Sequence, residues 1–228
     1  MAENKNNTTS TQEQSDLYRN VENFFLKNRN IIVGGIAVIA IAIAGYFGYQ
    51  KFILEPKEMD AREKIATPQA NFQKDSLTIA LNGDGINPGF LAIIDNYGNT
   101  PTGNLAHYYT GTIYLKQKDL DNAILHLEKF KPKTDELAGL TYVQLGHAYA
   151  DKNNLDKAVG YYKKAGEAAR SDFFSPYYYK MAGDLLTVQG KYAEAKKIYE
   201  LIKSNYPLSE EGQNIDKEIA YTETKLGK

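Results

Sequence analysis

Residues 142–162 read YVQLGHAYADKNNLDKAVGYY, two apolar-patterned runs separated by Asp151-Lys152-Asn153-Asn154. Small and apolar residues recur at three- and four-residue spacing on both sides of the break, as the buried stripe of a helix requires. Asn153-Asn154 combines a turn signal with a helix N-cap signal. The stretch therefore predicts two antiparallel helices joined by a tight turn. Gly146 and Ala158 are placed where such a pair crosses most closely, with the aromatics filling the gaps around the crossing.

The pattern recurs. Gly111, Gly146 and Gly183 are separated by 35 and 37 residues. Three positions after each stand Tyr114, Tyr149 and Leu186, and twelve positions after each stand Ala123, Ala158 and Ala195. Four further on are Leu127, Tyr162 and Tyr199; four before the last two glycines are Tyr142 and Tyr179; Pro207 closes the third unit. Asp119, Asn153-Asn154 and Gly190 break each unit between its helices, and Ser175-Pro176 reads as an N-cap followed by proline at the first helical position. The arrangement resembles the tetratricopeptide repeat, in which an aromatic, a small residue, a second aromatic, alanine, aromatic and proline follow in that order. The resemblance implies an all-α solenoid of helix pairs.

Residues 104–207 hold three good units. A degenerate unit is expected within residues 55–103, because Asn96-Tyr97 precedes Gly103 as Asn205-Tyr206 precedes Gly212. Equating Tyr97 with Tyr206 places Phe90 and Ile93 in a packed second helix and Lys74 at the glycine position. Residues 208–228 predict a capping helix with Ile215, Ile219, Thr222 and Leu226 on one face, closing the exposed end of the stack. Three to four pairs and a cap suffice for a stable array.

Ahead of the repeats, residues 31–49 read IIVGGIAVIAIAIAGYFGY without a charge. At about 1.5 Å per residue this run matches a bilayer's hydrocarbon thickness. Its Ile, Val and Phe residues together favour insertion by about 3–5 kcal/mol. Lys27 and Arg29 flank one end, and Tyr46, Phe47, Tyr49 and Lys51 mark the other, as interfacial anchors do. Residues 31–54 are thus expected to form one transmembrane helix, with 1–30 as a cytoplasmic segment. A cleaved signal peptide fits less well. The preceding segment balances its charges, and the apolar character runs past Ala42-Ile43-Ala44 to Phe52, Ile53 and Leu54. Cations on both sides leave the positive-inside count undecided; the size of the C-terminal domain favours its translocation. Ala37, Ala40, Ala44 and Gly48 share one face, a pattern common in such helices.

The chemistry the chain can carry is narrow. With 27 basic and 28 acidic residues it has no strong field for nucleic acid. It has no cysteine, which excludes disulfides and thiolate chemistry. His107, His126 and His147 show no helical pairing and no acidic ligand set, so no metal, cofactor or catalytic role is expected. The oxygen-rich run at 82–89 lacks the spacing and closing Glu of a calcium loop and reads as a turn between helices. The eighteen tyrosines suit half-buried helix packing. In a helix-pair solenoid the concave face, lined by first helices, carries function. Counting from the glycines puts Tyr108, Thr112, Val143, His147, Lys180 and Asp184 there. The chaperone-binding branch of the family clamps carboxylates with lysine and asparagine; Val143 and His147 stand at those positions, so a mixed groove for a protein segment is expected instead.

Leu17, Val21, Phe24 and Phe25 form an amphipathic stripe, and Phe24-Phe25-x-x-Asn28 leads directly into the apolar run. With an anchor and repeats behind it, this resembles the YfgM-type ancillary subunit of the bacterial Sec translocon. The resemblance implies an inner-membrane scaffold with a periplasmic domain. It would associate with a SecYEG-type channel and a membrane-anchored peptidyl-prolyl isomerase chaperone. A scaffold for another envelope assembly or secretion machine is the alternative.

Overall fold

The computed structural model describes residues 6–227, and every regular element among them is a helix. The chain divides into two compact units between Pro56 and Lys57.

The first unit is α1 (Asn6–Tyr49) followed by a π-helical turn, Gln50–Leu54. The helix carries an 18-residue window of mean hydropathy 2.4, none of it buried. It is long and apolar enough to cross a membrane by length and composition. Val21, Phe24 and Phe25 of the preceding stripe are also exposed, and Asn28 Nδ2 donates to the Phe24 carbonyl at 2.8 Å. The side chain of Leu17 and all of residues 1–5 lie outside the described residues.

The second unit is a stack of helix pairs: α2 (Glu55–Gln73), packed here from Lys57 on, with α3 (Leu77–Asn82) and α4 (Phe90–Tyr97); α5 (Pro101–Lys116) with α6 (Leu120–Lys129); α7 (Asp135–Asp151) with α8 (Leu155–Ala169); and α9 (Phe174–Val188) with α10 (Tyr192–Asn205). Each turn is built alike. Seven residues after the crossing glycine stand Lys118, Asn153 and Gly190, all with positive φ, and the second helix begins two residues later. Left-handed geometry there lets the chain reverse while orphan carbonyls at the helix end are satisfied. Asp119 and Asn154 then cap α6 and α8, accepting from the N–H groups of Asn122 and Lys157.

The crossings hold the stack together. A Cβ added to Gly146 would fall 2.5 Å from Tyr162 Cδ1; at Gly111 it would meet Leu127 Cγ at 2.7 Å, and at Gly183 Tyr199 Cδ1 at 2.9 Å. Each glycine thus touches the residue sixteen positions on, and Ala123, Ala158 and Ala195 are fully buried beside them.

The structure moves the register of the degenerate unit. Its left-handed residue is Asp75, which makes Pro68 the counterpart of the crossing glycines and Ala80, fully buried, that of the crossing alanines. Lys74 lies past the end of α2, not at the crossing. The count from Tyr97 went astray because six extra residues interrupt the second helix. Tyr97 lies 29 residues after Pro68, whereas Tyr206 lies 23 after Gly183. The interruption at 83–89 is a closed loop. Gly83 and Gly85 have positive φ, and the Asp84 carboxylate accepts from the backbone N–H groups of Ile86 (2.9 Å) and Asn87 (2.6 Å). Phe90 and Ile93 then pack as expected, with no exposed surface, and the Phe90 ring stacks on Tyr109 at 4.8 Å.

Three boundaries differ from the sequence reading. Helix α9 begins at Phe174, with Ser171 Oγ accepting from the N–H groups of Phe173 (3.3 Å) and Phe174 (3.2 Å). Ser175 is therefore inside the helix, and Pro176 sits in the first turn, where its missing N–H leaves no bond unmade. The cap divides at Ile215 into α11 (Glu210–Asn214) and α12 (Asp216–Lys225). Ile215 and Thr222 are buried, but Leu226 lies beyond the helix and is exposed.

The Asn-Tyr…Gly similarity proves to be a capping device. Thr100 Oγ1 donates to the Tyr97 carbonyl (2.8 Å) and accepts from Gly103 N–H (3.0 Å); Ser209 Oγ repeats both bonds with the Tyr206 carbonyl (2.9 Å) and Gly212 N–H (3.0 Å). Each carbonyl occupies the place of a Cβ on its glycine. Such caps typically contribute about 1 kcal/mol.

Gly146→Ala should lower stability by about 1–3 kcal/mol, since the added methyl overpacks against Tyr162. Gly160, in the same unit, faces open space, and Gly160→Ala should raise stability by up to about 1 kcal/mol. Denaturant melts of the two variants check the register, and equal effects would refute it.

Candidate functional site

The six residues counted onto the concave face do not form one continuous surface. Tyr108 and Thr112 on α5 are joined to Gln144 on α7. Gln144 Nε2 donates to Tyr108 Oη at 2.9 Å, and the Thr112 hydroxyl lies 2.8 Å from Gln144 Oε1. The Tyr108 ring also leans on Phe130 at 5.4 Å. Tyr108 is half-buried, and burial pushes its hydroxyl pKa up against a smaller lowering by the hydrogen bond with Gln144. These two residues brace one first helix against the next while leaving part of the ring accessible.

Val143 is a correction. It is buried in the cluster that includes Tyr162 of α8 and Tyr178 and Tyr179 of α9, so its side chain belongs to the core. His147, one turn on, is exposed, and its Nδ1 lies 3.0 Å from Tyr162 Oη. Lys180 and Asp184 pair across one helical turn at 2.8 Å. Glu218 on α12 approaches Lys180 at 3.6 Å, and Tyr199 Oη donates to Asp184 at 2.9 Å.

Three cavities border the pair of α9 and α10, and another, of about 410 Å³, lies beside the 83–89 loop with Lys64, Asn87 and Tyr97 in its lining. A cavity of about 870 Å³ lies between the start of α9 and the segment joining α10 to α11, with Phe173, Phe174, Tyr177 and Leu208 in its lining. A second, of about 360 Å³, shares Tyr177, Glu210 and Glu211 with the first and reaches Lys180 and Asp184. Asp184 also borders a third cavity of about 430 Å³ that runs to Tyr221 on α12. Lys180 and Asp184 thus line a groove along α9. The aromatic end of that groove escaped the sequence reading, although the adjacent Phe173-Phe174 beside an expected helix start was a visible signal.

A histidine pair was also missed. His107 and His126 come from α5 and α6, and their Nδ1 atoms are 2.9 Å apart. They occupy the positions four before and fifteen after the crossing glycine. Tyr142 and Tyr161 fill those positions in the next unit, with rings 6.2 Å apart. The pair therefore takes the place of an aromatic contact. Among the described residues no group of three or more His, Cys, Asp or Glu side chains is placed to hold a metal.

The tetratricopeptide repeat-like domain family matches residues 22–215, and the chain belongs to that family. Comparison with curated proteins gives no match. Membership supports a protein-protein interaction scaffold.

Burial, then the fields of His107 and Lys129, pushes His126 from its ordinary 6.5 down to about 4; burial and Lys129 lower His107 as well. The unfolded chain binds more protons across this interval, so the pair's contribution is present above pH 6.5 and is lost as pH falls toward 4. Wild-type protein should lose more melting temperature between pH 7 and pH 5 than the variant His107→Tyr/His126→Tyr, which copies the neighbouring unit. Equal slopes in the two melting series would contradict this account.

Proposed function

We propose that the chain is a scaffold anchored in the bacterial inner membrane by residues 31–54, with its repeat domain in the periplasm. There it serves as an accessory factor at the Sec translocon, linked to periplasmic chaperones. The observation that carries the anchor is the uncovered apolar run of α1. Ile31, Val38 and Ile41 are each about 70% exposed, at 76%, 68% and 71%. An apolar surface of that length is stable in hydrocarbon and unfavourable in water.

Two features support the rest. The family match begins at residue 22, ahead of the apolar run, and so takes in anchor and repeats together. The repeats present open grooves suited to polypeptide. A SecYEG-type channel and a membrane-anchored peptidyl-prolyl isomerase chaperone are the partners this architecture resembles a companion for. The six counted residues contribute unequally: Tyr108, Thr112, His147, Lys180 and Asp184 face the partner side, and Val143 supports them from within.

Full-length protein should stay with membranes through alkaline extraction, while a chain beginning at Lys57 should be soluble and helical. A reporter fused after Lys228 should register outside the cytoplasm. Purification in mild detergent should recover channel or isomerase components with the wild-type chain. Release at high pH or a cytoplasmic reporter signal would defeat the anchor or its orientation. Recovery of a different envelope machine would transfer the scaffold to that machine.

A further inference from the structure

We propose that the aromatic cavity at the start of α9 seats a bulky apolar side chain of a partner polypeptide whose neighbouring residues are lysine or arginine. This rests on the scaffold reading and names the partner chemistry for one site within it.

The apolar half of the argument is exposure. Phe173 is 76% exposed and Leu208 88%, facing one cavity of about 870 Å³. Phe173 and Phe174 meet edge-to-face at 5.0 Å, Phe174 stacks on Tyr178 at 6.2 Å, and Tyr177 adjoins Tyr178 at 5.9 Å. The rings form a continuous bed. Capping of α9 does not account for it, since Ser171 supplies the capping hydroxyl and any polar residue could stand at 173. Aromatic residues left in water around a concavity are what a partner's anchor side chain would cover.

Charge identifies the occupant. Three of the lining residues, Asp172, Glu210 and Glu211, are acidic, and none is basic. No ion pair holds any of the three among the described residues. In the adjoining cavity the one lysine, Lys180, is already held by Asp184 and Glu218. The groove is therefore negative over its length. Placement in the first turn of α11 favours Glu210 and Glu211 through the helix dipole, but it does not explain the exposed Phe and Leu side chains beside them. An anionic lipid surface would be repelled here. A segment presenting Leu, Phe or Met between lysines or arginines satisfies both the rings and the carboxylates.

The test uses full-length protein in detergent and a short fluorescent peptide with a Leu-Phe pair flanked by lysines. The control peptide has glutamates in their place. Anisotropy should show the lysine peptide binding about tenfold or more tightly, with the difference shrinking as salt is raised. Phe173→Ser with Leu208→Ser should weaken binding about tenfold or more while leaving the melt unchanged, because both side chains are exposed. Asp172→Asn, Glu210→Gln and Glu211→Gln together should erase the preference between peptides. Equal binding of the two peptides, or wild-type binding by the Ser variant, overturns the proposal. A concentration-dependent dimer that the Ser variant abolishes would assign the cavity to a second copy of the chain and overturn it also. The scaffold reading fails on a different result, the absence of any envelope component with wild-type protein.

Discussion

At the same place in three successive helix pairs, the first helix crosses the second with no room for a Cβ. At Gly111, Gly146 and Gly183 the missing side chain is replaced by Leu127, Tyr162 and Tyr199 from the returning helix. A glycine inside a helix costs about 1 kcal/mol relative to alanine, and the close approach offsets it by burying a large side chain against backbone. That approach fixes how each pair is joined. It sets where the turn must fall, hence the left-handed residue seven positions on, and it brings the fully buried Ala123, Ala158 and Ala195 against the first helix. The next pair can then stack on a surface of constant shape.

Where the constraint is relaxed, the unit changes character. Pro68 replaces the glycine in the first unit, and the second helix is broken by a loop that Asp84 closes on itself. The unit still presents a regular face to α5, because Ile93 and Tyr97 resume the buried stripe after the loop. The Thr100 and Ser209 caps mark both ends of the run of good pairs with the same hydrogen bonds. They set the entry to α5 and to the terminal α11, so the array is closed by a repeated local device as well as by packing.

The surface follows from the same geometry. Glycine-centred crossings consume Tyr162 and Tyr199 at the pair interface, and Val143 joins the core that runs from α7 to α10. The third of the glycine-centred pairs, α9 and α10, is followed by α11 and α12. The short α11 and α12 cover only part of its exposed side, leaving a groove along α9 with rings at one end and carboxylates around them.

The sequence alone determined the class of fold, the positions of the three good pairs and the apolar run. All three are periodic or compositional properties, set by backbone geometry and by the cost of exposing or burying side chains. Gly146, Ala158 and Tyr162 could be read as a crossing because their spacing recurs at the neighbouring units. Tertiary structure decided what depends on contacts between elements. His107 and His126 are nineteen residues apart, and only the return of α6 brings their rings together. Val143 has the spacing of a groove residue, but its burial depends on how the neighbouring helices pack around it. The six residues inserted before Phe90 shifted the register counted from Tyr97, because a turn's length leaves no periodic trace. Phe173 and Leu208 come to border one cavity across a helix pair, a relation that long-range packing creates and local patterning does not encode.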